Sequence, residues 1–279
     1  MKISKLLFVL LLFLSLSSNS LSMEADSNAE EYVKEKNPLM ITKELIDVIR
    51  KNNIERVNFL ILGGANLNAP DEYNNTPLIM AAYYGYEEIV NKLIQAGANL
   101  NLQNEYGYAA LISAASKGHT EIVNMLVKAG ADSDILNNAG NTSLIVAAYY
   151  GYEEIVNILI QARANLNVLN KAGYTALIYA TKFGHTEIVK ILVAAAGIDL
   201  NAKNKFRVSV SEDDYINPND GSTALIWAAR KGHTEIVNML IKAGANLTKI
   251  NGYGRTALIE ASLNRHAEIA EILRAAKRN

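Results

Sequence analysis

Residues 81–96 read AAYYGYEEIVNKLIQA and residues 147–162 read AAYYGYEEIVNILIQA, differing only at Lys92 against Ile158. The copy between them carries GHTEIV over residues 118–123, so the near-identity marks duplication of a two-copy unit. Working outward, related tracts open at Asn75, Tyr108, Asn141, Tyr174, Ser222 and Arg255. Each begins with Thr or Ala, a small residue, Leu, Ile, any residue, Ala and Ala, or a close variant. Each then passes through Gly and an aromatic or His into Glu-Ile-Val and an apolar stretch, and most close on Gly-Ala-Asn-Leu-Asn. Thr76, Thr142 and Thr175 recur on a period of 33 residues. A fixed period of this length predicts stacked units that share one core.

Within a copy the residues predict a helical hairpin. Thr76 suits an N-cap and Pro77 the first helical position, where a missing N–H costs nothing. Leu111, Ala114 and Ala115 fall three and four residues apart and make one apolar face. Thr120 is expected to cap the second helix, with Glu121 near its positive end. Ile122, Val123, Leu126 and Val127 form its apolar stripe, and Gly130 suits a left-handed turn beyond it.

Thr76-Pro77-Leu78, Ala81-Ala82, Gly118 to Val123 and Gly97 to Asn101 together resemble the ankyrin-repeat pattern of β-turn, short helix, loop and longer helix. The resemblance runs from about residue 40 to the end. It implies an all-α fold, an ankyrin-repeat solenoid of about seven helix-turn-helix repeats with β-turn connections. The copies fall at about 40–70, 71–103, 104–136, 137–169, 170–203, 204–250 and 251–279, the sixth carrying an insertion over 206–218 (FRVSVSEDDYINP). The insertion's Glu212, Asp213, Asp214 and Tyr215 suit either a partner contact or a solvated loop. Three features depart from the family pattern. Ile79, Ile112, Ile145, Ile178, Ile226 and Ile259 stand where it often has His. Arg163 stands where Gly97, Gly130 and Gly244 stand, and the fifth copy has an extra residue near Ala195–Gly197. At the N-terminal end Asn53 is expected to cap a helix that stops at Gly63-Gly64.

The N-terminus has the three-part layout of a secretory signal over residues 1–22: Lys2 and Lys5, the apolar run Leu6 to Leu14, then the small polar stretch Ser15 to Ser22. That run is about half of the ~20 residues a membrane-spanning helix needs. Cleavage before Met23 is therefore expected, with no stable membrane insertion afterwards and a periplasmic or secreted destination. The layout and an Asn-, Lys- and Ile-rich usage resemble exported bacterial ankyrin proteins. Residues 23–38 read as a polar linker.

The net charge is −1, and without residues 1–22 it is −3, from 25 basic against 28 acidic residues. Nucleic-acid binding calls for a basic excess and is not expected. The chain has no cysteine, which excludes disulfides, thiol nucleophiles and cysteine-ligated metal. His119, His185, His233 and His266 all fill one slot, which Tyr86 and Tyr152 fill elsewhere, so they are expected one per repeat instead of converging on a metal or a substrate. Glu87-Glu88 and Glu153-Glu154 match the positive ends of second helices better than a catalytic pair. No cofactor fingerprint is present, and the chain is not expected to be an enzyme.

Three slots of each first helix escape the apolar template. They hold Met80, Ser113, Val146, Tyr179, Trp227 and Glu260; Tyr83, Ser116, Tyr149, Lys182, Arg230 and Leu263; and Tyr84, Lys117, Tyr150, Phe183, Lys231 and Asn264. The resemblance implies that these slots line a concave groove. Met80, Tyr83, Tyr149, Tyr150, Tyr179, Phe183, Trp227 and Arg230 are the candidate contacts to a protein partner, of residue types enriched at binding hot spots. The competing reading packs several of these aromatics between repeats. The expected function is protein binding by a monomer, with a periplasmic accessory that stabilises a resident partner as the alternative.

Overall fold

The structure is a computed structural model that describes residues 27–205 and 221–278. The signal segment and the insertion over 206–218 lie outside the described residues. Every regular element among them is a helix. The chain divides into two compact units, Met1–Glu105 and Tyr106–Asn279.

The N-terminal unit starts with α1 (27–35), over part of the stretch expected as a linker. Ala29 is buried, and Gly63 packs so closely on its backbone that a Cβ at Gly63 would overlap the Ala29 carbonyl. Tyr32 lies edge-on to Phe59 at 5.5 Å, and its hydroxyl donates to Glu44 Oε2 at 2.8 Å. The polar composition hid this helix because its few anchors, Ala29 and Tyr32, are spaced for one narrow contact. Two hairpins follow: α2 (Pro38–Arg50) with α3 (Ile54–Leu62), and α4 (Pro77–Tyr84) with α5 (Glu87–Gln95). Asn53 accepts from the Arg56 amide and caps α3.

Five hairpins form the C-terminal unit. Their first helices are α6 (Ala110–Lys117), α8 (Ser143–Tyr150), α10 (Ala176–Phe183), α12 (Ala224–Lys231) and α14 (Ala257–Leu263). The second helices are α7 (Thr120–Lys128), α9 (Glu153–Gln161), α11 (Thr186–Ala194), α13 (Thr234–Lys242) and α15 (Ala267–Ala276). First helices pack in succession on first helices and second on second, as do α2 on α4 and α3 on α5 in the other unit. At eight or nine residues most of these helices are too short to persist alone, so stacking supplies their stability.

The hairpin chemistry follows the sequence closely. Thr76, Thr142, Thr175, Thr223 and Thr256 each accept from the amide three residues on and cap a first helix. Thr120 does not cap: His119 holds the N-cap without a side-chain hydrogen bond, and Thr120 is the first helical residue. Arg163 adopts φ +62°, the left-handed turn that Gly97 takes at +81°. The extra residue of the fifth copy leaves Ala195 extended, at ψ 133°, just beyond α11. The isoleucine slot is buried in five copies and open at Ile259, 43% exposed, in the last hairpin.

Asparagines tie successive hairpins together, a role the sequence reading missed. Asn170 Oδ1 accepts from the Ala172 and Tyr174 amides, and its Nδ2 donates to Asn141 Oδ1 at 2.7 Å. Asn137 and Asn251 clamp their own turns in the same way. At the opposite ends of the hairpins Asn68 accepts from the Asn99 amide, Asp134 from Asn165, Asn167 from Asp199 and Asn201 from Asn246. The recurrence of Asn or Asp at one position every copy was the available signal.

Candidate functional site

The left-handed glycine that ends α6, α8, α10 and α12 brings the next hairpin's His or Tyr against it. A Cβ on Gly151 would lie 2.8 Å from the His185 ring, and the same ring's Nε2 is 3.2 Å from the Tyr149 carbonyl. His266 stands likewise on Gly232, with Nε2 3.2 Å from the Arg230 carbonyl, and Tyr152 covers Gly118. His185, His233 and His266 are thus spacers between hairpins. Burial pushes the His233 imidazole below its ordinary value; Lys231 and His266 act in the same direction and the Lys182 backbone against it. No group of three or more His, Asp or Glu placed to hold a metal occurs among the described residues.

The candidate contacts separate into two sets. Met80 and Trp227 are buried, at 7% and 4% exposure, and are core residues, not surface. Their slot faces the neighbouring first helix, so a large apolar side chain there packs inward. Arg230 is committed as well. Its Nε and Nη2 reach Glu260 Oε2 and Oε1 at 3.0 and 2.9 Å, and its guanidinium lies 4.8 Å from the Trp227 ring centre. Asn251 Nδ2 donates to Glu260 Oε1 at 3.0 Å. Burial alone would raise the Glu260 carboxyl, but the Arg230 hydrogen bonds and charge, with Asn251 and Arg255, hold it below the usual carboxylate range. A bidentate pair of this kind stands or falls with both partners in place.

Tyr149, Tyr150 and Phe183 stay half exposed, and Tyr179 is partly covered. They form one cluster across α8 and α10. Tyr149 sits edge-on to Tyr150 at 4.9 Å, to Tyr179 at 5.2 Å and to Phe183 at 5.0 Å. The Tyr179 ring stacks on buried Tyr174 at 4.5 Å, and its hydroxyl accepts from Asn170 Nδ2 at 3.2 Å. Burial raises the Tyr179 phenol above its ordinary value, which keeps it protonated. Packing between repeats therefore accounts for Trp227, while Tyr149, Tyr150 and Phe183 are left at the surface. In the N-terminal unit Tyr83 and Tyr84 pair edge-on at 5.4 Å and are also exposed.

No helix among the described residues is long and apolar enough to cross a membrane. No curated protein matches the chain. The profile of the family described as ankyrin repeats (3 copies) matches residues 45–137, 129–204 and 207–279. With most of its length so matched and its helices stacked hairpin on hairpin, the chain belongs to the ankyrin-repeat family.

Proposed function

We propose that this protein is exported and, as a monomer, binds a partner protein through the first-helix face of its C-terminal unit, with Tyr149, Tyr150, Tyr179 and Phe183 as contacts. Ankyrin repeats are in general protein-interaction modules and non-enzymatic scaffolds. The observation that carries the finer reading is a cluster of aromatic rings that are half exposed yet pinned edge-to-face by one another. Rings already held in place lose little side-chain freedom on binding, so the cost of ordering is low.

Affinity capture with the full chain, from its own cells and from any host, tests the reading. The variant Tyr149→Ala/Phe183→Ala runs in parallel, with its helix content checked by circular dichroism. A single stoichiometric partner lost at least about tenfold in the variant is the expected result for a hot spot. Equal recovery by both proteins refutes the contact assignment. Export is tested separately, by sequencing the N-terminus of the protein recovered outside the cytoplasm, which should begin at Met23.

A further inference from the structure

We infer that the aromatic cluster seats one apolar or aromatic side chain of a partner segment whose flanking residues are acidic. The inference rests on the binding role proposed above and specifies the partner's chemistry. Beside the cluster lies a cleft of about 170 Å³, walled by Tyr108, Ile145, Tyr149, Tyr150 and Tyr179 with Asn141 at its edge. This is below the roughly 300–1,000 Å³ of pockets for drug-sized ligands and suits a single side chain. No charged side chain lines it. Asn141 Oδ1 already accepts from Asn170, and the walls combine ring and aliphatic surface with the exposed polar atoms of the tyrosines and the asparagine.

Electron-rich rings also attract cations, but two observations weigh against a cationic anchor. Tyr149 directs its contacts edge-on into Tyr150, Tyr179 and Phe183, and Tyr179 stacks on Tyr174, so ring faces are spent within the cluster. A cation is also already present: Lys182 Nζ lies 4.8 Å from the Tyr174 and Trp227 ring centres and 5.7 Å from that of Phe183. A second positive charge beside it meets repulsion.

Among the described residues, the charged variable slots on both sides of the seat are basic except at Glu260 on α14. The slot filled by Tyr150 and Phe183 is filled by Lys117 on α6 and Lys231 on α12, both exposed. Lys182 and Arg230 occupy the slot just before it. The acid among the variable slots of these first helices is Glu260, and Arg230 closes on it. The remaining helix-start acids, such as Glu121, Glu154, Glu187 and Glu235, begin second helices. Packed helices lie about 8–10 Å apart, so Lys117 and Lys231, three helices apart, are separated by roughly 27 Å. An extended chain at about 3.3 Å per residue covers that span with about eight residues. The partner segment is then an extended stretch of about this length, with carboxylates toward its ends and an apolar anchor between them.

The test is selection of a random octapeptide library displayed on phage against the full chain. Enriched peptides are then measured by fluorescence polarisation against wild type, Tyr149→Ala/Phe183→Ala and Lys117→Glu/Lys231→Glu. The expected peptides carry one aromatic or large aliphatic residue between Asp and Glu. Their affinity should fall about tenfold with the ring variant, as for loss of a hot spot. It should fall several-fold with the charge variant, and again between about 0.05 and 0.3 M salt as screening grows. Enrichment of basic or uncharged peptides overturns the inference, as does tighter binding of a single-stranded oligonucleotide than of any acidic peptide. If capture of a natural partner still depends on Tyr149 and Phe183 in those cases, the binding role stands and only the acidic chemistry fails. If neither capture nor peptide binding depends on the rings, the binding role fails with it.

Discussion

The α8–α10 and α12–α14 regions of the C-terminal unit offer the same slots and use their aromatic and charged side chains differently. In the first, Tyr149 and Phe183 meet each other edge-on and keep over two fifths of their surface in water. In the second, Trp227 is enclosed and Arg230 is tied to Glu260. At Arg230 the difference lies in the following repeat. Glu260 occupies on α14 the slot of Trp227 on α12, and it supplies the carboxylate on which the Arg230 fork closes. Slot position decides most of the rest: the slot of Trp227 is also buried at Met80, Ser113, Val146 and Glu260, and the slot of Phe183 is exposed in every copy. In the slot that Tyr149 and Arg230 share, the neighbour one copy along decides whether a side chain is spent on stability or left for a partner.

This contrast is easiest to break at Trp227. Trp227→Ala removes a large enclosed side chain and should destabilise by about 3–5 kcal/mol in urea unfolding, through lost burial and the cavity left behind. A loss below about 1 kcal/mol would place the tryptophan on the surface after all. It also makes Trp227 an unsuitable probe of binding, unlike the pair Tyr149 and Phe183.

Arg230→Ala should cost somewhat less, about 3 kcal/mol near neutral pH, because it strands the buried Glu260 charge. The pH dependence gives a second check. In the wild type Glu260 is held below its ordinary value, so its contribution is present above the usual carboxylate range and is lost as pH falls through the folded-state value. In the variant the main part of that hold is gone, Asn251 and Arg255 remaining, and a protonated Glu260 is less costly to bury. The gap between the two proteins should therefore narrow as the pH is lowered. A gap that is independent of pH would refute the ion-pair account.

The two near-identical copies sharpen the comparison at the backbone level. Gly97 and Arg163 take the same left-handed turn, at φ +81° and +62°. Arg163→Gly should gain about 0.5–1 kcal/mol and Gly97→Arg should lose a similar amount. Opposite signs in thermal unfolding are the diagnostic result.

The smallest effect is expected at the spacer slot. His233 is depressed in the folded state, so below its ordinary value of 6.5 the unfolded chain binds more protons and stability declines with falling pH. His233→Tyr installs the residue that Tyr86 and Tyr152 supply elsewhere, and it removes that titration. The variant's melting temperature should fall less than the wild type's between neutrality and pH 5. Parallel curves would show that His233 titrates alike in both states.

The hairpins were legible because their signals are local. Thr76 and Thr142 cap the helices they precede, and Ile122, Val123 and Leu126 are all buried as their spacing requires. The candidate face was legible only as a set of variable slots. Trp227 and Tyr149 stand in different slots, but the sequence pattern does not say which of the variable slots faces the neighbouring helix and which faces water.

The sequence by itself determined the repeat, the first-helix caps, the left-handed turns and the family, because each depends on residues a few positions apart and recurs along the chain. Tertiary structure alone decided three further points: α1 packs on α3 through Ala29 and Gly63, asparagines link neighbouring hairpins, and Trp227 is buried and Arg230 paired while Tyr149 and Phe183 face water. These depend on side chains about thirty residues apart meeting across stacked helices. A one-dimensional pattern records which residues stand at those places, whereas burial and pairing arise only once the copies are laid against one another.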